Sequence, residues 1–372
     1  MAKARSLRFD SYTSPPVVGA ARPRLEPVRA SPRAHLLPRA SLAQVLFGDS
    51  PFIGSRCDPE APRGFISPAE ARVRLGIDYA DALSQEREYR RSWMRDLGVA
   101  LRAAVADVLS AGSDAAIERR PFVVSSRVDA ITIAEASEEI LTPRKDRAKL
   151  VFFAHPHALN LAYFDPALAK RLERADLVLP DGVGLRIAAH LLGRQLPHNL
   201  NGTDMLPILC KGAAKKKLPL VLIGGKPGVA AACAEQLMRM TPGLSIPFVS
   251  DGYLDAVESQ RMAAHVRGLG RALVLVGMGT PIQEAWACEH LGDLAGVTVL
   301  TVGGLFDFFG GRVERAPLAW REMGLEWLFR LCKEPRRMAR RYLIGNPLFL
   351  TLAMLQLLRQ RTWFKRRGLG PG

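Results

Sequence analysis

The chain is poor in cysteine, and what it has forms no pattern. Cys57, Cys210, Cys233, Cys288 and Cys332 are scattered over 372 residues, with no Cys-x-x-Cys pair and no Cys/His spacing of a zinc site. That argues against a disulfide framework or structural zinc and for a reducing compartment. No run of 18 apolar residues occurs, so nothing reads as a transmembrane span. No apolar segment follows the basic stretch at residues 1–12, so no secretory signal is expected. Internal repeats, a Gly-x-Gly-x-x-Gly fingerprint and a Gly-Lys-Ser/Thr phosphate loop are also missing, which leaves dinucleotide or ATP chemistry unsupported. Asp-x-Asp is missing too, and with it the carboxylate pair that commonly holds a metal on a nucleotide-sugar.

What the chain does have is positive charge, and it sits at the two ends. The formal net charge is +16, of which residues 1–40 supply +6 and residues 321–372 supply +9. A near-neutral body with basic ends suggests that the ends meet an anionic surface while the body does other work. The apolar run Leu348 to Leu358, flanked by Arg340/Arg341 and Arg359/Arg361, is eleven residues long. It suits either a helix in the membrane interface or a helix packed on the domain. Interleaving of the basic tail with an apolar run disfavours nucleic acid as the partner. The expected location is cytoplasmic.

Four regions follow from composition. Residues 1–64 are rich in Pro and Arg and read as a largely disordered arm, with one short helix at Ser41 to Leu46. Residues 65–119 read as a helical extension. Ser67-Pro68-Ala69-Glu70 starts a helix over 68–76, and Trp93, Leu97, Leu101, Val105 and Leu109 mark an apolar stripe on a second, over 79–111. Residues 120–318 alternate short apolar runs with helical runs. Strands are expected near 121–125, 149–154, 176–179, 219–224, 245–249, 272–277 and 297–302. Helices are expected near 133–141, 158–174, 183–192, 204–215, 227–239, 255–267 and 281–290. The fold class is therefore α/β, a mainly parallel Rossmann-like sheet with helices on both faces. Residues 319–372 form a basic, amphipathic C-terminal appendage.

The chemistry-bearing residues fall where strands end, the usual place for ligands in an open parallel sheet. In Leu177–Gly184, LVLPDGVG, Asp181 stands between strand and helix. It can cap the helix or act as a base. The following helix would direct its N-terminal amides at the same mouth, which favours a diphosphate. Asn201-Gly202-Thr203-Asp204 is a capping turn, with Thr203 or Asp204 as the cap. Gly224 and Gly225 end another strand and let backbone approach phosphate. In Val276–Glu284, VGMGTPIQE, Thr280, Pro281 and Gln283 spell a capping box. Alternatively Gln283 bonds a nucleotide for which Gly277 and Gly279 clear space. Asp307 follows a Gly-Gly turn, where carboxylates often grip ribose or base. His155 and His157 are two apart with no third ligand, too little for a metal site.

Together, from about Pro121 to Leu350, these stretches resemble the WecG/TagA/CpsF family of glycosyltransferases. The blocks are ADLVLPDGVG (175–184), NGTD (201–204), LIGGKPGV (222–229), DGYL (251–254), VGMGTPIQEAW (276–286), VGGLFDFFGG (302–311), RAP (315–317) and GLEWLFRLCKEPRRMARRY (324–342). The resemblance implies an inverting, metal-independent enzyme without a cofactor. It would move a sugar such as N-acetylmannosamine, N-acetylmannosaminuronic acid or glucuronic acid from UDP onto a polyprenyl-diphosphate-linked sugar, for cell-surface polysaccharide. It implies Asp181 as catalytic base, Gln283 and Asp307 on the nucleotide-sugar, and Arg330, Arg337 and Arg340 over the diphosphate and on the membrane, with Asp204 on the acceptor side. Two departures stand out. Phe153-Ala154-His155-Pro156 replaces Thr-x-Asn-Pro, so His155 serves as a hydrogen-bond donor in place of Asn or as a second acid/base group. Asn199 or Leu200 stands where an Arg is frequent. A non-catalytic membrane scaffold, a nucleotide-dependent oxidoreductase and homo-oligomer formation remain open at this point.

Overall fold

The computed structural model describes residues 39–55, 58–74, 87, 92–110, 118–317, 320 and 325–366. The arm through residue 38 and the start of the second expected helix lie outside these. Ser41 caps α1 (Leu42–Leu46), and Gln44 completes the capping box. Ser67 Oγ accepts the Glu70 N–H at the head of α2 (Pro68–Arg74), as its Ser-Pro-x-Glu pattern requires. Ile53 bridges to Ile66 and packs with Ala71, Val99 and Ala103, which joins residues 53–55 and 58–66 to α2 and α3 (Trp93–Ser110).

The expected strand at 121–125 does not enter the main sheet. The chain reverses at Val124–Ser125, and β1 (Phe122–Val123) pairs antiparallel with β2 (Ser126–Arg127). After α4 (Ile133–Ile140) come β3 (Lys149–Ala154), α5 (Pro156–Phe164), α6 (Pro166–Arg174) and β4 (Leu177–Pro180). The single helix expected over 158–174 is thus two. Asp165 caps the second and Pro166, which has no N–H to continue the first, opens it. Then follow α7 (Val183–Leu191), α8 (Gly202–Lys215), β5 (Leu220–Gly224), α9 (Val229–Met240), β6 (Phe248–Ser250), α10 (Ala256–Gly268) and β7 (Ala272–Gly277). Next come α11 (Ile282–Trp286), a π-helical turn (Ala287–Leu291), β8 (Val297–Thr301) and α12 (Leu305–Phe309). The tail holds α13 (Glu326–Lys333), α14 (Pro335–Ala339), a second π-helical turn (Arg340–Ile344) and α15 (Gly345–Arg366).

Six strands form one parallel sheet in the order β4-β3-β8-β7-β5-β6. Strands β3, β5, β7 and β8 are buried along their whole length, because apolar residues occupy both faces and helices cover both. Two clusters fill the two sides. One contains Phe152, Val178, Leu185 and Val274; the other contains Val151, Leu179, Leu222 and Phe306. Register sets the rim: Ala154 lies beside Pro180, and Val276 beside Thr301, so four loops leave the sheet at one edge.

The tail is part of the domain. Phe349, Leu352 and Ala353 of α15 are buried in the first cluster. Gln356 accepts the Val124 N–H at 2.7 Å and donates to the Phe122 carbonyl at 3.1 Å. On its outer side Leu350, Met354, Leu355 and Leu358 are exposed. The packed reading of the apolar run therefore holds for one face, and the other face is left exposed. The helical stretch Pro335–Gln360 exceeds the eleven-residue run, and by length and composition it could cross a membrane. The helix also packs on α5 and α7.

Candidate active site

A cleft of about 860 Å³ opens where β3, β4 and β8 end, with His155, Asp181, Gln283 and Gly303 on the sheet side. Glu326, Arg330, Arg337 and Arg341 of the tail form the opposite wall. Glycine shapes the floor at the Asp181 turn. Gly182 has φ +97°, a conformation that a side chain would strain, and its N–H donates to Asn199 Oδ1 at 2.6 Å. The Asp181 N–H donates to the Ala154 carbonyl at 2.8 Å. Together these bonds hold the Asp181 backbone at the mouth.

The Asp181 side chain is no helix cap; Gly182 takes the N-cap position of α7 with no side-chain bond. Protein surrounds the carboxyl and pushes its pKa up from 3.8 to about 7, the Glu326 carboxylate adding repulsion while Arg341 and Arg330 partly oppose it. A carboxyl tuned to that range suits proton abstraction near neutral pH.

His155 ends β3 and caps α5, its Nδ1 accepting the Ala158 N–H at 3.0 Å. That acceptance puts the ring proton on Nε2. Burial, and then the charges of Arg341, His157 and Arg330, hold its pKa well below the ordinary value, so the ring is neutral. A ring in this state keeps Nε2–H as its one N–H. The His157 ring lies parallel to it, with 6.0 Å between centroids.

The remaining expected residues divide between cleft and scaffold. Gln283 lines the cleft, yet its amide is saturated by protein. Oε1 accepts from Gly279 N (3.2 Å) and Gly303 N (2.9 Å), while Nε2 donates to Glu284 (2.8 Å) and Thr280 (3.3 Å). It ties two rim loops together, and the expected capping box does not form because Pro281 holds the N-cap position. Gly279 lines the cleft. Gly224 and Gly277 instead allow strand ends to touch: a Cβ at 224 would fall 2.4 Å from the Gly277 carbonyl oxygen, and one at 277 would fall 2.7 Å from that of Gly303. Neither clears room for a nucleotide. Asn201 caps α8, so neither Thr203 nor Asp204 does. The Asp204 carboxylate takes a bond from Asn201 Nδ2 at 2.6 Å and pairs with Arg315, which joins the NGTD block to the RAP block. Asp307 sits just behind the Gly303–Gly304 rim, 4.0 Å from Arg337.

On the tail, Arg330 stacks 5.0 Å over the Phe308 ring, fastening α13 to the core. Arg340 is exposed and outside the cleft; its neighbour Arg341 lines it. Arg341 stands four residues after Arg337, so the two share one helical face toward the cleft, and a π-helical turn begins at Arg340. Glu326 was the other residue missed, although it stands in the EW block. Among the described residues no three His, Cys, Asp or Glu side chains gather as a metal would need.

The sequence profile of the glycosyl transferase WecG/TagA/CpsF family matches residues 122–363. The chain belongs to this family. It is a glycosyltransferase, and the resemblance drawn from the eight blocks stands. A similar protein is the N-acetylglucosaminyldiphosphoundecaprenol N-acetyl-beta-D-mannosaminyltransferase of Bacillus spizizenii, 29% identical over 210 residues, which are 56% of this chain and 80% of that protein. The family match takes in both the sheet with its cleft and most of α15. Helices α1 to α3 precede it.

Proposed function

We propose that this glycosyltransferase moves a sugar from a UDP-sugar, of the N-acetylmannosamine or uronic acid kind, onto a polyprenyl-diphosphate-linked sugar during cell-envelope polysaccharide synthesis. The observation that carries the mechanism is Asp181: a carboxyl with a pKa near 7, held at the cleft mouth opposite three guanidinium groups. Asp181 takes the proton from the acceptor hydroxyl as that oxygen attacks the anomeric carbon. The new C–O bond forms on the face opposite UDP, the old C–O bond breaks, and the electron pair leaves on the diphosphate. The configuration inverts. Positive charge from Arg330, Arg337 and Arg341 and from the N-terminus of α7 replaces a metal on the leaving group.

The relative's name, with its undecaprenol-linked diphosphate acceptor, supports the acceptor class. Basic residues and exposed leucines on the tail support contact with an anionic membrane surface on the cytoplasmic side, with Arg340 on that outer face. The test is incubation of the full chain with UDP-sugars and a prenyl-diphosphate-linked N-acetylglucosamine. Product mass identifies the donor, and the coupling constant of the new anomeric proton reads inversion. A chelator should leave the rate unchanged. No UDP release with any donor would leave a membrane scaffold as the function instead, and hydride transfer with NAD(H) would reassign the cleft.

A further inference from the structure

Arg341 holds an unusual place against His155. Its Nη2 stands 3.5 Å from Nδ1 and 3.5 Å from Nε2 of the same ring. A donor in the ring plane at equal distance from both nitrogens would collide with Cε1, the atom between them. The guanidinium nitrogen must therefore lie over the ring face. Nδ1 has no in-plane lone pair to spare in any case, since the Ala158 N–H occupies it. What Arg341 meets is the π face of a neutral imidazole, a favourable seat for a guanidinium and one that a protonated ring would not provide.

The seat has a consequence for the cleft. Strand β3 ends at Ala154, so His155 is fixed to the sheet by the strand on one side and by its own cap bond on the other. Arg341 comes from the tail, at the π-helical turn. It approaches the Asp181 carboxyl closely enough to lower its pKa. The His155 face thus converts a long, flexible side chain from a separate segment into a placed positive charge beside the base.

We propose that His155 is a positioning residue whose neutral ring seats Arg341, and that Arg341 so seated binds the oxygens of a diphosphate. The proposal rests on the transferase reading for its setting and names the tail arginine that does the binding. A diphosphate reaches this cleft from two sources, the nucleotide of the donor and the prenyl diphosphate of the acceptor. UDP and a short prenyl diphosphate are therefore separate probes, measured by calorimetry on the intact chain.

Two substitutions separate the cap from the seat. His155→Asn keeps a good N-cap side chain and removes the ring. His155→Phe keeps an aromatic face and removes the cap. Arg341→Ala should weaken binding of one of the two probes about ten-fold or more, and that probe names the source. His155→Asn should weaken the same probe to a similar degree with an unchanged melting temperature. His155→Phe should melt lower yet bind nearly as the wild type does. In the double variant His155→Asn/Arg341→Ala the loss should not exceed that of Arg341→Ala alone. Additive losses, or wild-type binding of both probes by His155→Asn, would overturn the proposal. Because calorimetry needs no turnover, a wild-type chain that binds with this coupling but transfers nothing would refute the reaction and spare the seat.

Discussion

Replacing Asp181 with Asn exchanges one oxygen for an amide, keeps the shape of the turn, and removes the only titrating group proposed as base. Two effects of opposite sign follow. Transfer should fall by about 10²–10⁴-fold, the usual worth of general-base assistance. Stability should rise, and only at higher pH. The unfolded carboxyl titrates at 3.8 and the folded one at about 7. Below about pH 4 it is protonated in both states, and the substitution is close to neutral. Between the two values the unfolded chain has released a proton that the folded chain still holds, so wild-type stability declines as pH rises. Above about pH 7 the deficit is complete, at most about 4 kcal/mol. Asn carries no such cost. At pH 8.5 the variant should melt several degrees above the wild type, since ~1 kcal/mol moves a protein of this size by roughly 2–4 °C. At pH 4 the two melting temperatures should nearly coincide. Wild-type kcat/KM should climb about ten-fold per pH unit below 7 and level off above it, because only the ionised carboxylate accepts a proton. Thermal melts at both pH values and a transfer assay at pH 8.5 check all of this. A variant that keeps transfer within ten-fold, or whose stability gain is the same at both pH values, would refute the assignment.

The other outcomes concern the supports around that residue. Gln283→Ala should cost about 2–3 kcal/mol in urea unfolding, because the N–H groups of Gly279 and Gly303 lose their shared acceptor and buried Glu284 loses a donor. Phe349→Ala empties a fully buried position on the inner face of α15; it should cost about 3–5 kcal/mol and expose α15 to limited proteolysis. Leu355→Asp with Leu358→Asp changes two exposed side chains. The melting temperature should hold while co-sedimentation with phosphatidylglycerol vesicles drops, and unchanged sedimentation would remove this face from membrane contact.

How far the sequence reached depended on whether a residue's role is local. Strand β7 and helix α2 could be read directly, since unbroken apolar runs mean double-sided burial and Ser-Pro-x-Glu means a helix start. Asp181 was found for a related reason: a carboxylate between an apolar strand and an amphipathic helix in a parallel sheet lies at the carboxyl edge wherever the strand sits in the order. The capping box at Thr280–Gln283 failed because its letters were right and its partners were not. The Gln283 amide had a better use across space, bridging to Gly303 twenty residues away. Gly224 and Gly277 misled in the same way, since a glycine that admits a phosphate and one that admits a neighbouring backbone look alike in a string.

By itself, the sequence determined the parallel α/β class, the place of most strands, the family and the carboxylate at the mouth, because periodicity, caps and block order are properties of neighbours along the chain. Only the tertiary structure decided that Arg341 and not Arg340 enters the cleft, that Asp204 serves Arg315, and that burial, then Glu326 against two arginines, sets the proton affinity of Asp181. Those outcomes depend on a tail docked on the sheet domain and on burial of the Asp181 carboxyl by protein. Each is a matter of distance and desolvation between segments 100 residues or more apart in several cases, and no local pattern encodes it.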